Sequence, residues 1–433
     1  KIGDWWVVNA GRPAPLNSFR GYEQLKDLVI PGSVDFVGNL KVFEKAYNIE
    51  SIEIAPGPNP IKWHYIDYGV GTATYHPFYY CQAKKFIFNR EVILYDKYKK
   101  TSEDFSFYLD DYKSKIEEVV INYPMKEMPH SFFKDLYNMG KVTLPPTLTK
   151  IKSSAFENTG IKFISITNGI TDIESMVFRD CSQLKTLVLE DGPEPLSIKV
   201  SMLGLFSHSG PFYDSPLETV HIGRELIYDC NNDLDSWSEG ILGISNHTSL
   251  KKVTIGKYVK TLSTCFFANN QALPAITIPG NVTSIGNDAF YNCIGLKDLV
   301  FEKSTENEAL DLAIDTYSLP DEGLFAWCKS LSNLTLARNL TYPDDYPPFK
   351  SDWKITIDNI TIKDGCTRLG KKLFYDNLES NCTITCEVST PPSIEDNTFN
   401  WNNVSGVTLR VPKGSMNNYK NSPWGKFKNI KEY

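Results

Sequence analysis

The sequence predicts a solenoid of about 15 stacked coils, mostly β-strand and irregular chain, with the strands aligned in one long parallel sheet. Three observations predict it. The stretch "ITIPGNVTSIGNDAF" (276–290) recurs as "VTLPPTLTKIKSSAF" (142–156), "ISITNGITDIESMVF" (164–178), "VTIGKYVKTLSTCFF" (253–267), "ITIKDGCTRLGKKLF" (360–374) and, more loosely, "VVINYPMKEMPHSFF" (119–133). Each copy opens on an apolar/variable/apolar triplet and carries Phe fourteen residues after its start. The starts recur about every 23 residues, and a unit that short cannot bury its apolar face without stacked neighbours.

In chain order the starts fall at Leu28, Ile52, Phe86, Val119, Val142, Ile164, Leu187, Val220, Val253, Ile276, Leu299, Leu334, Ile360, Ile384 and Val407. Five of the intervals are 33–35 residues long and carry insertions of roughly ten. Within a unit the triplet alternates in, out, in, as a strand with one buried face does. Pro or Gly then turns the chain, as at Pro145, Gly169, Gly256 and Pro279. A second apolar residue nine positions from the start (Ile151, Ile173, Leu262, Ile285, Leu369) faces back inward, and the Phe closes the coil. Six residues before the next start stands a small or polar residue: Asn158, Cys181, Asp214, His247, Asn270, Cys293 or Cys328. Such side chains can bond backbone groups in the tight turn entering a strand, so this column is a structural device.

Composition narrows the function classes. A net charge of −7 over 433 residues, without a Lys/Arg stripe, argues against nucleic acid as a partner. No apolar run approaches the roughly 18 residues of a membrane span, and no signal-peptide pattern is present. The chain opens at Lys1 rather than Met, as expected if an N-terminal piece has been removed. Nine cysteines form no paired CxxC pattern for zinc.

The stretch "IPGNVTSIGNDAFYNCIGLKDLVF" (278–301) resembles the BspA-type, or Treponema-type, leucine-rich repeat, and "LRVPKGSMNNYKNSPWGKFKNI" (409–430) resembles the tail that closes such arrays. The resemblance covers 119–433 and is weaker over 28–118. It implies an α/β-type leucine-rich-repeat solenoid: a curved right-handed coil with a parallel sheet on one face and irregular or short helical segments on the other. It also implies an exported protein, at the cell surface or attached to the outer membrane of a host-associated bacterium, adhesion to host proteins, and no catalytic residues or cofactor. The expected organisation is divergent N-terminal repeats with an aromatic cap (1–118), the solenoid with inserted turns (119–406) and a closing repeat (407–433). A monomer is expected, with room for a lipid anchor upstream of Lys1.

Motifs that would carry chemistry are sparse. "GCTRLGKK" (365–372) fits a phosphate-binding loop but ends in Lys372 where Ser or Thr should reach magnesium, and it lies in register with the repeat turn "NVTSIGND". His64, His76 and Cys81 match no standard metal spacing. "SHSG" (207–210) is not a nucleophile elbow, and Asp344/Asp345 read as a solvated turn. Seven NxS/T matches follow from Asn in turns and Thr in strands. An enzyme with its site in the inserted turns is therefore the least favoured reading.

A partner has two places to bind. The variable middle residue of each triplet points out of the sheet, giving a row that includes Glu53, Ser165, His221, Thr254 and Thr277, ending at Thr408. β propensity explains much of its Thr content, and a broad polar face receiving a protein or glycan is the functional alternative. The aromatics of the first inserted turn, Trp63, Tyr65 and Tyr79 among them, fit a carbohydrate-binding module, although a cap over the open solenoid end is preferred.

Overall fold

β-Branched and apolar residues alternating with polar ones give each coil a strand of about four residues with one buried face. In the computed structural model that expectation is met coil after coil. The structure describes residues 26–34, 36–37, 48–65, 82–96, 115–199, 201–202, 208–229, 249–306, 308–312, 323–351 and 355–433. They cluster into two compact units. One comprises Lys1–Ile164, Gly169–Lys185 and Pro211–Ser215, and the other Ser165–Asn168, Thr186–Gly210 and Pro216–Tyr433.

In the first unit five strands, Asp27–Ile30, Ser51–Ile54, Lys85–Phe88, Glu118–Ile121 and Lys141–Thr143, form a parallel sheet in chain order. Leu28, Ile52, Phe86, Val119 and Val142 stand side by side across it, matching the starts set by sequence spacing. In the second unit Leu187, Val220 and Val253 align in the same way. A seven-stranded parallel sheet then aligns Ile276, Leu299, Leu334, Ile360, Ile384, Leu409 and Ile430. The strand ladder is interrupted between Lys252–Ile255 and Ala275–Ile278, which belong to separate sheets. Val253 and Ile255 are only half-buried there.

One start is corrected. Leu409, not Val407, pairs with Ile384, so Arg410 and not Thr408 continues the outward row beside Thr385. Val407 is fully buried in the turn before the strand, its N–H donating to the Val404 carbonyl. It continues a buried lead-in column that spacing arguments missed: Ile49, Ala83, Ile116, Met139, Ile161, Leu184, Leu217, Leu250, Leu273, Leu296, Leu331 and Ile357, each three residues before a start. In the last two coils Cys382 and Val407 stand two residues before it, and that one-residue shift misplaced the count.

The second apolar position also forms as expected. Short parallel strands pair Met128, Ile151 and Ile173 in the first unit. Leu262, Ile285 and Leu312 pair in the second. Beyond them the chain turns without helix, because residues two before the ring (Ser131, Ser154, Met176, Cys265, Asp288) and two after it (Asp135, Asn158, Asp180, Asn269, Asn292) take positive φ. Among the described residues the one α-helix is Met416–Lys420, followed by a 3-10 turn, Pro423–Lys426.

The recurring Phe rings stack from coil to coil. In the first unit Phe133, Phe156, Phe178 and Phe212 lie 5.4, 5.0 and 5.1 Å apart between centroids. In the second, Phe267, Phe290, Phe325 and Phe349 lie 5.4, 5.2 and 5.3 Å apart, and Phe374 and Phe399 follow at 6.2 and 5.8 Å. Trp424 caps the last ring at 5.7 Å and donates from Nε1 to the Pro392 carbonyl at 2.7 Å. Phe212 and Phe325 fall after insertions, so the insertions are placed between the second apolar strand and the ring, leaving the ring in line.

Three buried arginines sit four residues after a start, at Arg90, Arg224 and Arg338. Each follows a coil with an insertion and reaches carbonyls two coils back. Arg90 donates to Pro31 and Gly32, Arg224 to Thr167 (2.9 Å) and Asn168 (3.1 Å), and Arg338 to Val282 (2.6 Å) and Pro279 (3.2 Å). The planar guanidinium suits this, with several donors aimed at fixed acceptors. Burial, opposed by the charge of Glu302, draws Arg338 down to about 10.

Phe290→Ala removes a fully buried ring with partners on both faces and is expected to destabilise the fold by about 3–5 kcal/mol in denaturant titration. Phe163→Ala, at an exposed position, should stay within about 0.5 kcal/mol of the parent.

Candidate functional site

Residues at the middle of each strand alternate outward, so their side chains are left on the solvent side of the sheet. In the first unit the row runs Val29, Glu53, Ile87, Val120 and Thr143. Glu53 accepts from Asn89 Nδ2 at 2.8 Å, and Asn122 Nδ2 donates to Asn89 Oδ1 at 2.8 Å, giving a ladder that crosses three coils. Beside it Lys85 and Lys141 both pair with Glu118, at 3.1 and 2.7 Å, and hold its carboxyl below the usual value.

In the second unit the row brings together three of the residues the sequence singled out. Ser165 Oγ donates to Glu190 Oε1 at 3.0 Å. His221 and Thr254 are register partners, and His221 Nδ1 lies 2.8 Å from Thr254 Oγ1. On its other side His221 Nε2 lies 3.3 Å from Asp191 Oδ2. The imidazole thus joins three successive coils while remaining partly open to solvent. Thr277 is exposed and begins the next sheet, where it pairs with Val300 and not with Thr254.

Two glycines shape this patch. A Cβ at Gly256 would lie 2.3 Å from Asp191 Oδ1, so the missing side chain is the space the carboxylate occupies. At Gly223 a Cβ would meet the Leu189 carbonyl oxygen at 2.5 Å.

Carboxylate, imidazole and hydroxyl in that order could suggest an acid–base relay. Catalysis of acyl transfer would also need donors for an oxyanion. The neighbouring N–H groups of Gly223 and Gly256 already donate to Leu189 and Ile222. The arrangement fixes three polar side chains from successive coils on the open face of the sheet.

The column of small polar residues is structural, with a corrected alignment. Counted from the ring, the donor stands three residues after Phe. Cys181 Sγ donates to the Phe156 carbonyl (3.1 Å), Ser215 Oγ to Phe178 (2.5 Å), Cys293 Sγ to Phe267 (3.1 Å), Cys328 Sγ to Phe290 (3.2 Å) and Asn377 Nδ2 to Phe349 (3.1 Å). Asn158 and Asp214 belong instead to the positive-φ position one residue earlier, because in their coils the ring lies eight rather than nine residues before the strand. Burial pushes the Cys293 thiol up to about 12 and also raises the Cys328 thiol well above its ordinary value. Neither is poised as a nucleophile.

On the opposite side of the first unit, Glu174 gathers Lys150 Nζ (3.1 Å), the Ser153 N–H (3.0 Å), Ser153 Oγ (3.1 Å) and His130 Nδ1 (3.8 Å). Burial alone would raise its carboxyl, but the hydrogen bonds from Lys150 and Ser153 outweigh it and leave it below the ordinary 4.5. The phosphate-loop match does not form an anion cradle. Lys371 and Lys372 pair with Asp344 (2.8 Å) and Asp345 (3.7 Å), and the Tyr342 hydroxyl lies against Gly370.

The backbones of Trp63, His64 and Tyr65 run in the strand Ile61–Tyr65, paired with Val92–Asp96. Tyr79, His76, Cys81 and His247 lie outside the described residues. Among the described residues no helix is long and apolar enough to cross a membrane. Asp191 and Gly223 were missed by sequence reasoning and Gly256 was read only as a turn residue, since the three stand in turns 30 or more residues apart and only the coil register brings them together.

The family model for the BspA type leucine rich repeat region matches in six copies, over residues 100–232, 244–381 and 315–431. No curated protein matches the chain significantly. Among solved structures, a leucine-rich repeat protein from Bacteroides ovatus shares 18% identity over 76% of this chain and 78% of its own, with a TM-score of 0.42. A leucine rich cell surface protein from Faecalibacterium prausnitzii shares 17% over 71% and 87%, with a TM-score of 0.28. The pneumococcal vaccine antigen PcpA shares 14% over 96% and 91%, with a TM-score of 0.26.

Two outcomes are expected from the buried clusters. At pH 8 the native protein should leave Cys181, Cys293 and Cys328 unlabelled by a thiol reagent, and denaturant should expose them, as read by peptide mass mapping. Glu174→Gln should cost about 1–2 kcal/mol near neutral pH. Because the folded carboxyl titrates below its unfolded value, that difference is complete above about pH 4.5 and shrinks as the pH falls further, which denaturation at several pH values measures.

Proposed function

This chain belongs to the BspA-type leucine-rich repeat family, and on that premise we propose that it is a non-enzymatic binding scaffold, exported or displayed at a cell surface, whose outward sheet row receives a protein partner. The observation that carries the reading is the patch of Asp191, His221 and Thr254. Its three side chains come from successive coils and are held to one another before any partner arrives. Preordered polar groups on a rigid sheet lower the entropic cost of association. The family premise supports a repeat scaffold, and repeat scaffolds commonly bind through extended sheet faces. Display at a surface is part of this proposal and rests on the family membership.

The test is saturable binding of the purified chain to a panel of extracellular matrix proteins, repeated with His221→Ala/Thr254→Lys. The expected result is a hit that weakens at least about tenfold in the variant, while circular dichroism and melting remain those of the parent. A hit of unchanged affinity in the folded variant would remove the site from this part of the face.

A further inference from the structure

The chain carries −7 overall, yet its last 27 residues hold six cations, Arg410, Lys413, Lys420, Lys426, Lys428 and Lys431, against one carboxylate, Glu432. All six cations are exposed. Elsewhere many surface lysines and arginines are neutralised, as in Lys134–Glu157, Lys303–Asp364, Arg368–Glu395 and Lys371–Asp344. Among the described residues none of the six C-terminal cations has an ion-pair partner. Glu432 is itself engaged, accepting from the N–H groups of Gly414 (2.9 Å) and Met416 (3.1 Å).

We propose that this basic end of the solenoid is a docking site for an anionic polysaccharide, separate from the protein-binding row around His221. Two features give the patch direction. Arg410 and Lys431 are register partners on adjacent strands, so their charges continue the outward row at about the 4.8 Å strand spacing. Aromatic rings hold two of the cations, with the Arg410 guanidinium 4.9 Å from the Tyr433 ring centre and Lys426 Nζ 4.9 Å from that of Trp401. A line of fixed positive charge with rings alongside matches a linear polymer whose sugars offer regularly spaced anions and apolar C–H faces.

The same residues disfavour a lipid surface. Tyr419, Trp424 and Phe427 are buried, and the exposed Tyr433 ring lies against the Arg410 guanidinium, so this end offers little unpartnered apolar surface to a bilayer. A nucleic-acid duplex keeps its base faces stacked within the helix and offers the rings of Trp401 and Tyr433 little to pack on.

The experiment titrates the full chain with dextran sulfate by calorimetry, with neutral dextran, phosphatidylserine-containing vesicles and a short DNA duplex as parallel arms. Saturable binding to dextran sulfate is expected, weakening at least about tenfold between roughly 50 and 300 mM NaCl, since exposed charges are screened over that range. Arg410→Glu/Lys431→Glu should lose at least about tenfold. A second variant, Lys420→Gln/Lys426→Gln, should lose severalfold and serves if the first does not fold. Lys26→Glu, which alters a cation already paired with Glu50, should change affinity less than about twofold. No binding at low salt, binding indifferent to the folded charge variants, or tighter binding to vesicles or duplex than to dextran sulfate would each overturn the proposal. The His221 variant is expected to bind dextran sulfate normally, which keeps this outcome separable from that of the protein-binding row.

Discussion

Coil stacking in this protein depends on keeping one ring above another at about 5 Å while the strands beside them keep a fixed register. The Phe ring and the carbonyl behind it act together. The ring meets the ring of the next coil, and the carbonyl accepts a hydrogen bond from a small donor in that coil, such as the Cys293 or Cys328 thiol. A polar group in so apolar a position is tolerated because it is paired. Any length added to a coil must leave this corner undisturbed. That is why Ser201–Met202 and His208–Ser209 form a small antiparallel excursion before Phe212 and do not displace it.

Most of the repeat was legible in the chain because apolar side chains must recur wherever the register brings coils together. The starts from Leu28 to Ile384 and the rings at Phe156, Phe178, Phe267 and Phe290 could be counted directly. The count failed where a turn absorbs a residue. Val407 is as apolar as a strand residue and stands where one is due, and only the shortened lead-in reveals that Leu409 pairs with Ile384. The donor column was blurred for the same reason. Asn158 and Asp214 are chemically plausible donors at the right distance from the strand, but the ring they follow is one residue closer to it.

The outward row was legible as a direction and illegible as a site. Alternation places His221 and Thr254 on the open face, and nothing in it identifies Asp191, which belongs to a turn 30 residues earlier. Gly223 and Gly256 look like ordinary turn residues in sequence. Their meaning comes from what stands above them, a carboxylate occupying the volume that any larger residue would need. Sites on a repeat scaffold arise from residues of neighbouring coils, so they become visible once the coil register is known.

The buried arginines alter how the coils of the second unit would come apart. A plain solenoid is coupled only between adjacent coils, so it can fray one coil at a time. Arg338 spans an intervening coil to reach Val282 and Pro279, and Arg224 spans one to reach Thr167 and Asn168. Peeling away the coil at either end of such a span strands a buried cation or a set of buried carbonyls, which is costly in a medium that cannot hydrate them. Each span therefore binds three consecutive coils into a single cooperative block, and each block encloses a coil lengthened by an insertion, where nearest-neighbour coupling alone would be weakest.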